Sequence, residues 1–312
     1  MLIGPLGPFG NLGHLCYAPR MQLLMNALIA GSLGALLAGG LALVYGVLRV
    51  FNLALGQLAL IGGYLTWWLH QQVGVPLLPS ILGGAVGGGL VTAASFEIAV
   101  SPFYRRHRFL PLVTTIALSM ILDALLLLVF EERPRAILQT AKQPLDVLGA
   151  RITVEQVVLI VATIVFLCAI AWILHSTPMG RKIRATVQHS EAARSLGIPS
   201  HLLHRIVFIG SGVLASLGGI YLGIDQNLTP TTAFPLTIKA YAALIAGGMG
   251  NFWGTIACAY LIALLEQLAV GVPWVFGSYL PAGYQQTVAL LFIIVVLLVK
   301  PTGLFSTRSR AA

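Results

Sequence analysis

Charged side chains are scarce in this sequence, and their scarcity excludes the soluble globular classes. Asp, Glu, Lys and Arg make up 9% of the 312 residues, whereas soluble domains contain roughly a quarter. Hydrophobic residues make up 58%, and the mean hydropathy is +0.92. Apolar runs of about 20 residues recur along the chain, and a run of that length crosses a hydrocarbon core. The sequence therefore predicts a polytopic membrane protein.

Motifs that carry catalysis are also missing. The sequence has no GxxxxGK[ST] phosphate loop, no GxSxG nucleophile elbow and no HExxH pair. The three cysteines are scattered without a CxxC pair, and the histidines lie at the edges of the apolar runs. We therefore expect no catalytic residue, no metal site and no cofactor bound by this chain. ATP hydrolysis, if it is used, has to come from another subunit.

The apolar runs predict an all-α bundle of about nine transmembrane helices, within a range of eight to ten. The first block, 22–69, is too long for one span, so we divide it near 47–52. The later predicted spans are 77–100, 111–130, 153–174, 203–224, 236–246, 255–270 and 284–299. The predicted organisation is a leader or interfacial segment at 1–21, a transmembrane domain at 22–300 containing the loop 177–200, and a tail at 301–312.

Basic residues predict how these spans are oriented. The segments 101–110 and 175–205 and the tail from Lys300 carry 3, 5 and 3 Lys or Arg residues, with Glu191 as their one acid. Cytoplasmic loops carry such an excess, so these segments are predicted to be cytoplasmic and the N-terminus outside. A re-entrant 236–246 would place the basic tail outside, so a full crossing is expected there. The net charge of +9 is therefore attributed to topology, and no nucleic-acid partner is expected.

The stretch Thr177–Ser200 is a polar, basic interruption between two long apolar runs. Pro178 suits a first helical turn, and Gly197 with Pro199 suits a helix end, so one helix is predicted over 181–196. Spacing alone favours a solvated loop that only fixes topology. The alternative is a rigid cytoplasmic element against which a soluble partner pushes.

Polar residues inside the apolar runs are costly and are candidates for function. Asn52, Gly56 and Gln57 suit either a broken helix that lines a polar pathway, or a helix cap with close helix contacts. Gly247 and Gly248 predict a tight turn at the inner end of the 236–246 run. Asp123 and Glu266 are single acids, which we expect to pair between helices or with another subunit.

Several segments resemble the LivH-type permeases of branched-chain amino-acid ABC importers. The similarity includes GLALVYGVLRVFNLALGQLALIGGYL, LPLVTTIALSMILDALLLLVF and IKAYAALIAGGMGNFWGTIACAYLIALLEQ, and the terminal KPTGLF. MGRKIRATVQHSEAARSLGI resembles the family's coupling loop, with EAAxxxG running from Glu191 to Gly197. Together these segments cover residues 26–305 in the family's order.

The resemblance implies a complex in the bacterial inner membrane. This chain and a LivM-like second permease would form the pathway, two cytoplasmic ABC ATPases would bind ATP and Mg, and a periplasmic binding protein would deliver the substrate. Besides these proteins, only membrane lipid is expected as a partner. The predicted coupling residues are Arg181, Arg184, Glu191, Ala192, Ala193 and Gly197. The predicted pathway residues are Asn52, Gly56, Gln57, Gly247 and Gly248.

The family's substrates are branched-chain and other neutral amino acids, but also urea, short amides and small carboxylates. Two departures leave these alternatives open, namely the sequence from Asn52 to Gly56 and the acid at Asp123, where an uncharged amide is common. An ATP-independent carrier or a channel subunit is the alternative of a different class. The scarcity of charge inside the spans and the EAAxxxG motif argue against it.

Overall fold

The computed structural model describes residues 12–104, 109–138, 144–147, 150–271 and 282–305. Within these ranges the chain is mostly helical. The helices are α1 (Leu12–Leu48), α2 (Leu55–Trp67), α3 (Leu77–Ser95), α4 (Leu110–Phe130), α5 (Val154–Ser176), α6 (Pro178–Gln188), α7 (Ser190–Ser195), α8 (Ser200–Asp225), α9 (Ala233–Gly247), α10 (Phe252–Gly271) and α11 (Gln285–Val299). Single π-helical turns extend α2 over Trp68–Gln72 and α3 over Phe96–Val100. Short 3-10 turns at Pro230–Thr232 and Ala282–Tyr284 precede α9 and α11.

The prediction of an all-α polytopic membrane protein is confirmed. Six helical segments are long and apolar enough to cross a membrane: Met21–Leu48, Leu77–Val100, Leu110–Phe130, Val154–Ser176, Ser200–Asp225 and Phe252–Gly271. The helices α2, α9 and α11 are shorter, at 13, 15 and 15 residues. The count of nine spans and their orientation therefore stay predictions.

The bundle has a packed centre and an exposed outer layer. The central helices α1 and α8 are mostly buried, and they pack against α2, α9 and α10. Most of α4 and α5 is exposed, and their surfaces are apolar. Since lipid is as apolar as the helices, close backbone packing has to hold the centre together. At Gly219 of α8, for example, a Cβ atom would overlap the backbone carbonyl of Ala59 in α2.

Two helix boundaries show how local sequence positions the bundle. The predicted division of the first apolar block is confirmed, because α1 ends at Leu48 and Arg49 turns the chain with a φ of +54°. Thr153 begins α5 with a capping box, in which its hydroxyl accepts from the Gln156 amide while the Gln156 side chain accepts from the Thr153 amide.

The structure also corrects several boundaries. Helix α1 begins at Leu12, within the predicted leader and before the predicted first span. A two-stranded antiparallel hairpin, β1 (Pro144–Val147) with β2 (Ala150–Thr153), lies in a segment for which no strand was predicted. The single helix predicted over 181–196 is wrong, since His189 is extended, with φ −143° and ψ 94°, and separates α6 from α7.

Candidate functional site

The basic loop, residues 177–200, folds back onto the end of α5. The Thr177 hydroxyl accepts a hydrogen bond from the Gly180 amide at 3.2 Å and so caps the start of α6. A Cβ atom at Gly180 would overlap the carbonyl oxygen of Leu174, which shows how closely α6 approaches α5. Ile183 and Thr186 are buried against the bundle. One face of α6 is therefore fixed to the membrane domain.

Arg181 and Arg184, both predicted to be coupling residues, have different surroundings. The guanidinium of Arg184 donates to the carbonyl of Leu174 and, at 3.3 Å, to the carbonyl of His175. Those carbonyls belong to the last turn of α5, where helical partners are lacking and positive charge is favourable. Arg181 and its neighbour Lys182 are exposed. Arg184 thus holds α6 against α5, while Arg181 and Lys182 are available to a partner.

The second half of the loop carries the EAAxxxG segment. Glu191 lies in α7 and Ala192 is exposed, whereas Ala193 is only 2% exposed and packs against the bundle. The Ile198 amide donates to the Ala193 carbonyl at 3.0 Å, and Gly197 between them has a φ of +77°. This is a Schellman-type helix end, for which glycine is the favoured residue.

Leu196 is a surface residue that the sequence interpretation missed. Leu196 follows Ser195, the last residue of α7, and is 81% exposed beside Gly197. A large apolar residue on a polar, basic loop is the signal that could have identified it as a candidate contact.

The residues Asn52, Gly56 and Gln57 lie inside the packed bundle. Asn52 is 1% exposed, and its Oδ1 accepts from the Ala54 amide at 3.2 Å just before α2. The Gly56 amide donates to the Thr237 hydroxyl at 3.0 Å, and a Cβ atom at Gly56 would overlap α9. A route past these residues would therefore require α2 to move against α9.

Gln57 and Asp123 contact each other. Gln57 is fully buried, and its Nε2 donates to both carboxylate oxygens of Asp123, at 3.1 and 3.0 Å. Within the part of the chain that the structure describes, the Oε1 atom of Gln57 has no hydrogen-bond partner. Asp123 is half-buried on α4, whose other exposed residues at this level, Met120 and Ile121, are apolar.

Gly247 and Gly248 form the predicted turn at the end of α9. A Cβ atom at Gly247 would lie 2.5 Å from the carbonyl oxygen of Gly254 in α10. Gly248 has a φ of +100°, and the backbone of Gly303 packs directly against it. The Leu304 amide donates to the Ala246 carbonyl at 2.8 Å. The KPTGLF segment is therefore packed against the α9–α10 turn.

A cavity of about 340 Å³ lies between the basic loop and this turn. Its lining comes from the end of α1, the end of α5, α6 and the start of α10, and it includes Ile183, Arg184, Asn251 and Trp253. The space leaves α6 room to shift relative to α1 and α10.

A larger cavity, about 400 Å³, lies at the other end of the bundle between α1, α8, α9 and α10. Lys239 and Glu266 both line it, and the Lys239 Nζ lies 2.9 Å from Oε1 and 3.0 Å from Oε2 of Glu266. Glu266 was expected to pair between helices or with another subunit, and in this structure its partner is on the neighbouring helix of the same chain. The sequence interpretation did not anticipate the cavity.

Comparisons with known proteins agree with this architecture. The profile of the family described as branched-chain amino acid transport system / permease component matches residues 23–299. The chain is 26% identical over 298 residues to the high-affinity branched-chain amino acid transport system permease protein BraD of Pseudomonas aeruginosa, covering 91% of this chain and 95% of that protein. It is also 26% identical to the corresponding protein LivH of Escherichia coli, with coverages of 91% and 94%.

A solved structure shares the fold. The structure titled PsaBC from Streptococcus pneumoniae in complex with Fab matches with a TM-score of 0.51 and 13% identity, over 93% of this chain and 96% of that one. At that identity the likeness concerns the fold alone. The family profile, in contrast, spans almost every helix from α1 to α11. On that match, this chain belongs to the family of permease components of branched-chain amino acid transport systems.

Proposed function

We propose that this chain is one of two permease subunits of an ATP-driven importer for branched-chain or other neutral amino acids. The observation that carries the proposal is the family match over residues 23–299, together with relatives whose names specify branched-chain amino acid transport. In this assignment the chain is a multi-pass protein of the bacterial inner membrane. A LivM-like permease pairs with it, and a periplasmic protein delivers the substrate.

Two ATPase subunits bind the ATP and Mg in the cytoplasm, and one of them docks on the basic loop of this chain while the other docks on the partner permease. The exposed residues Arg181, Lys182 and Leu196 support this docking, because they offer two positive charges and one apolar side chain on the basic loop. The fixed face of α6 supports the transmission of force. Ile183 is buried in the bundle and Arg184 bonds to the end of α5, so a push on the loop displaces α5 and α6 together.

The mechanism follows from this arrangement. Closure of the ATPases on ATP moves α6 and α7, and the cavity beside Trp253 gives α6 room to shift toward the α9–α10 turn. Because α9 contacts α2 through Gly56 and Thr237, the displacement reaches the buried Asn52 and Gln57. The resulting separation of α2 from α9 opens the route on one side of the membrane at a time.

Copurification and transport test the proposal together. The tagged chain is expressed with its candidate partner permease and ATPases, purified, and placed in proteoliposomes with the binding protein outside. The expected result is that both ATPases copurify and that leucine accumulates only when ATP is present. Accumulation without ATPases would favour the carrier or channel alternative instead.

A further inference from the structure

We infer that the 400 Å³ cavity between α1, α8, α9 and α10 binds a zwitterionic amino acid, with Lys239 facing its carboxylate and Glu266 its ammonium group. The inference rests on the proposed function and deepens it, since it assigns a substrate class to a particular site. The cavity lies at the end of the bundle opposite to the basic loop, which is the outer side in the predicted orientation.

The ion pair is unusually placed for a purely structural contact. Glu266 is 5% exposed and lies in the second half of the largely apolar helix α10, where a buried charged side chain is costly. Both of its carboxylate oxygens lie against the Lys239 ammonium group, at 2.9 and 3.0 Å, and both residues line the cavity. The Lys239 side chain is 31% exposed, so some of its three donors remain accessible from the cavity.

The cavity lining is complementary to an aliphatic amino acid. A zwitterion carries both charges next to one carbon atom, and it therefore requires opposite charges that are close together, as Lys239 and Glu266 are. Apolar side chains from α1 and α10 offer a surface for the aliphatic side chain: Ile29, Leu33, Leu37 and Ile262. A cavity of this volume lies in the range of small-molecule sites.

The same charges discriminate among the substrates that the sequence leaves open. Urea and short amides carry no charge. Their binding would displace water from the charged groups of Lys239 and Glu266 without supplying an opposite charge to either group. A small carboxylate matches Lys239 but is repelled by Glu266. A zwitterion matches both groups, and the second acid of the lining, Asp225, further disfavours a free carboxylate, so the cavity favours amino acids over small carboxylates and uncharged amides.

Ligand competition on the wild-type permease pair tests the site without any mutation. The pair is placed in phosphatidylglycerol nanodiscs without the binding protein, and binding of radiolabelled leucine is measured. We expect leucine to be displaced by valine, but not by leucinamide, which lacks the carboxylate, or by 4-methylpentanoate, which lacks the ammonium group. Equal displacement by either analogue would overturn the site. So would complete loss of leucine binding when phosphatidylethanolamine is included, because the cavity would then be a lipid headgroup site.

A double variant separates a binding role from a structural one. Lys239→Met with Glu266→Gln removes both charges while keeping size, and such replacements of buried ion pairs are often tolerated by the fold. We expect the affinity for leucine to fall by about tenfold or more, because the loss of one charged contact can weaken binding by that factor. The control is Arg205→Met with Glu97→Gln, which neutralises an ion pair at 3.4 Å outside the cavity. Unchanged leucine binding in the cavity variant would show that the pair only joins α9 to α10.

These results are distinguishable from failure of the proposed function. If wild-type proteoliposomes import leucine with ATP while the cavity variant binds leucine normally, the site is wrong and the function stands. If no neutral amino acid is imported by the wild type, the proposed function itself fails.

Discussion

The side-chain amide of Gln57 donates to both carboxylate oxygens of Asp123, at 3.1 and 3.0 Å, and joins the buried helix α2 to the exposed helix α4. Asp123 is half-buried on a helix whose surface is otherwise apolar. Since a carboxylate in contact with lipid is costly, this contact is expected to matter for both stability and transport.

A double-mutant cycle on this contact separates the two effects. Gln57→Leu leaves the carboxylate without its donor, and a hydrogen bond to a charged group contributes about 1.5–3 kcal/mol. Asp123→Leu added to Gln57→Leu removes both partners and is expected to restore most of the thermal stability of the purified complex. If the amide lines the pathway, uptake stays impaired in the double variant while the ATPases still copurify. Normal uptake in Gln57→Leu and in Asn52→Leu would show that both amides contribute only to helix packing.

The close approach of α6 to α5 predicts the effect of a single methyl group. Gly180→Ala would force the new Cβ atom into the carbonyl oxygen of Leu174, so α6 has to shift away from α5. We expect this variant to hydrolyse ATP but to import less leucine per ATP, as measured in proteoliposomes. Gly210→Ala in α8 is the matched control, since a Cβ atom there meets nothing within 4 Å. Equal losses in both variants would contradict the specific role of Gly180.

Substitutions of the two arginines of α6 are expected to impair transport in different ways. Arg184→Ala removes the bonds to the carbonyls of Leu174 and His175 and should lower the ratio of uptake to hydrolysis while ATPase binding persists. Arg181→Ala removes an exposed charge and should weaken ATPase binding, more at low salt than at high salt because exposed charges are screened. Binding affinity at two salt concentrations distinguishes them. Identical behaviour of both variants would argue against separate roles for Arg184 in coupling and Arg181 in ATPase binding.

Leu196 is expected to contribute an apolar contact to ATPase docking. Leu196→Glu places a charge where an 81% exposed leucine stood, so it leaves the fold intact and penalises only a partner that covers this residue. We expect a loss of ATPase copurification without a change in the melting temperature of the permease pair. Leu196→Met is the control, because it keeps an apolar side chain of similar size. Unchanged copurification of the ATPases with the Leu196→Glu variant would show that Leu196 does not contribute to docking.

The sequence was sufficient for the long apolar helices and insufficient for contacts that depend on helix packing. Apolar length predicted α4 and α8 to within a few residues, and the division after Leu48 followed from the excessive length of the first block. The break at His189 was missed because no glycine or proline marks it. Helix propensity favours a continuous helix through this position, whereas the backbone of His189 is extended.

The candidate site shows the same limit. Gly197 was recognised as a helix end because glycine is favoured at positive φ. The pairing of Lys239 with Glu266 could not be predicted, because it depends on how α9 and α10 turn relative to each other around Gly247 and Gly254. Likewise, the contact of Gln57 with Asp123 joins helices that are distant in sequence.

The most direct measurement of the central claim is the number of leucine molecules imported per ATP hydrolysed by the reconstituted complex. In the wild type, import should require ATP, both permeases and both ATPases. In Glu191→Ala and in Gly197→Ala, whose glycine has a φ of +77°, the ATPases should remain bound and active while leucine import falls by about tenfold. Import unchanged in both variants, or import by the wild type without ATP, would contradict the claim that the basic loop couples ATP hydrolysis to transport.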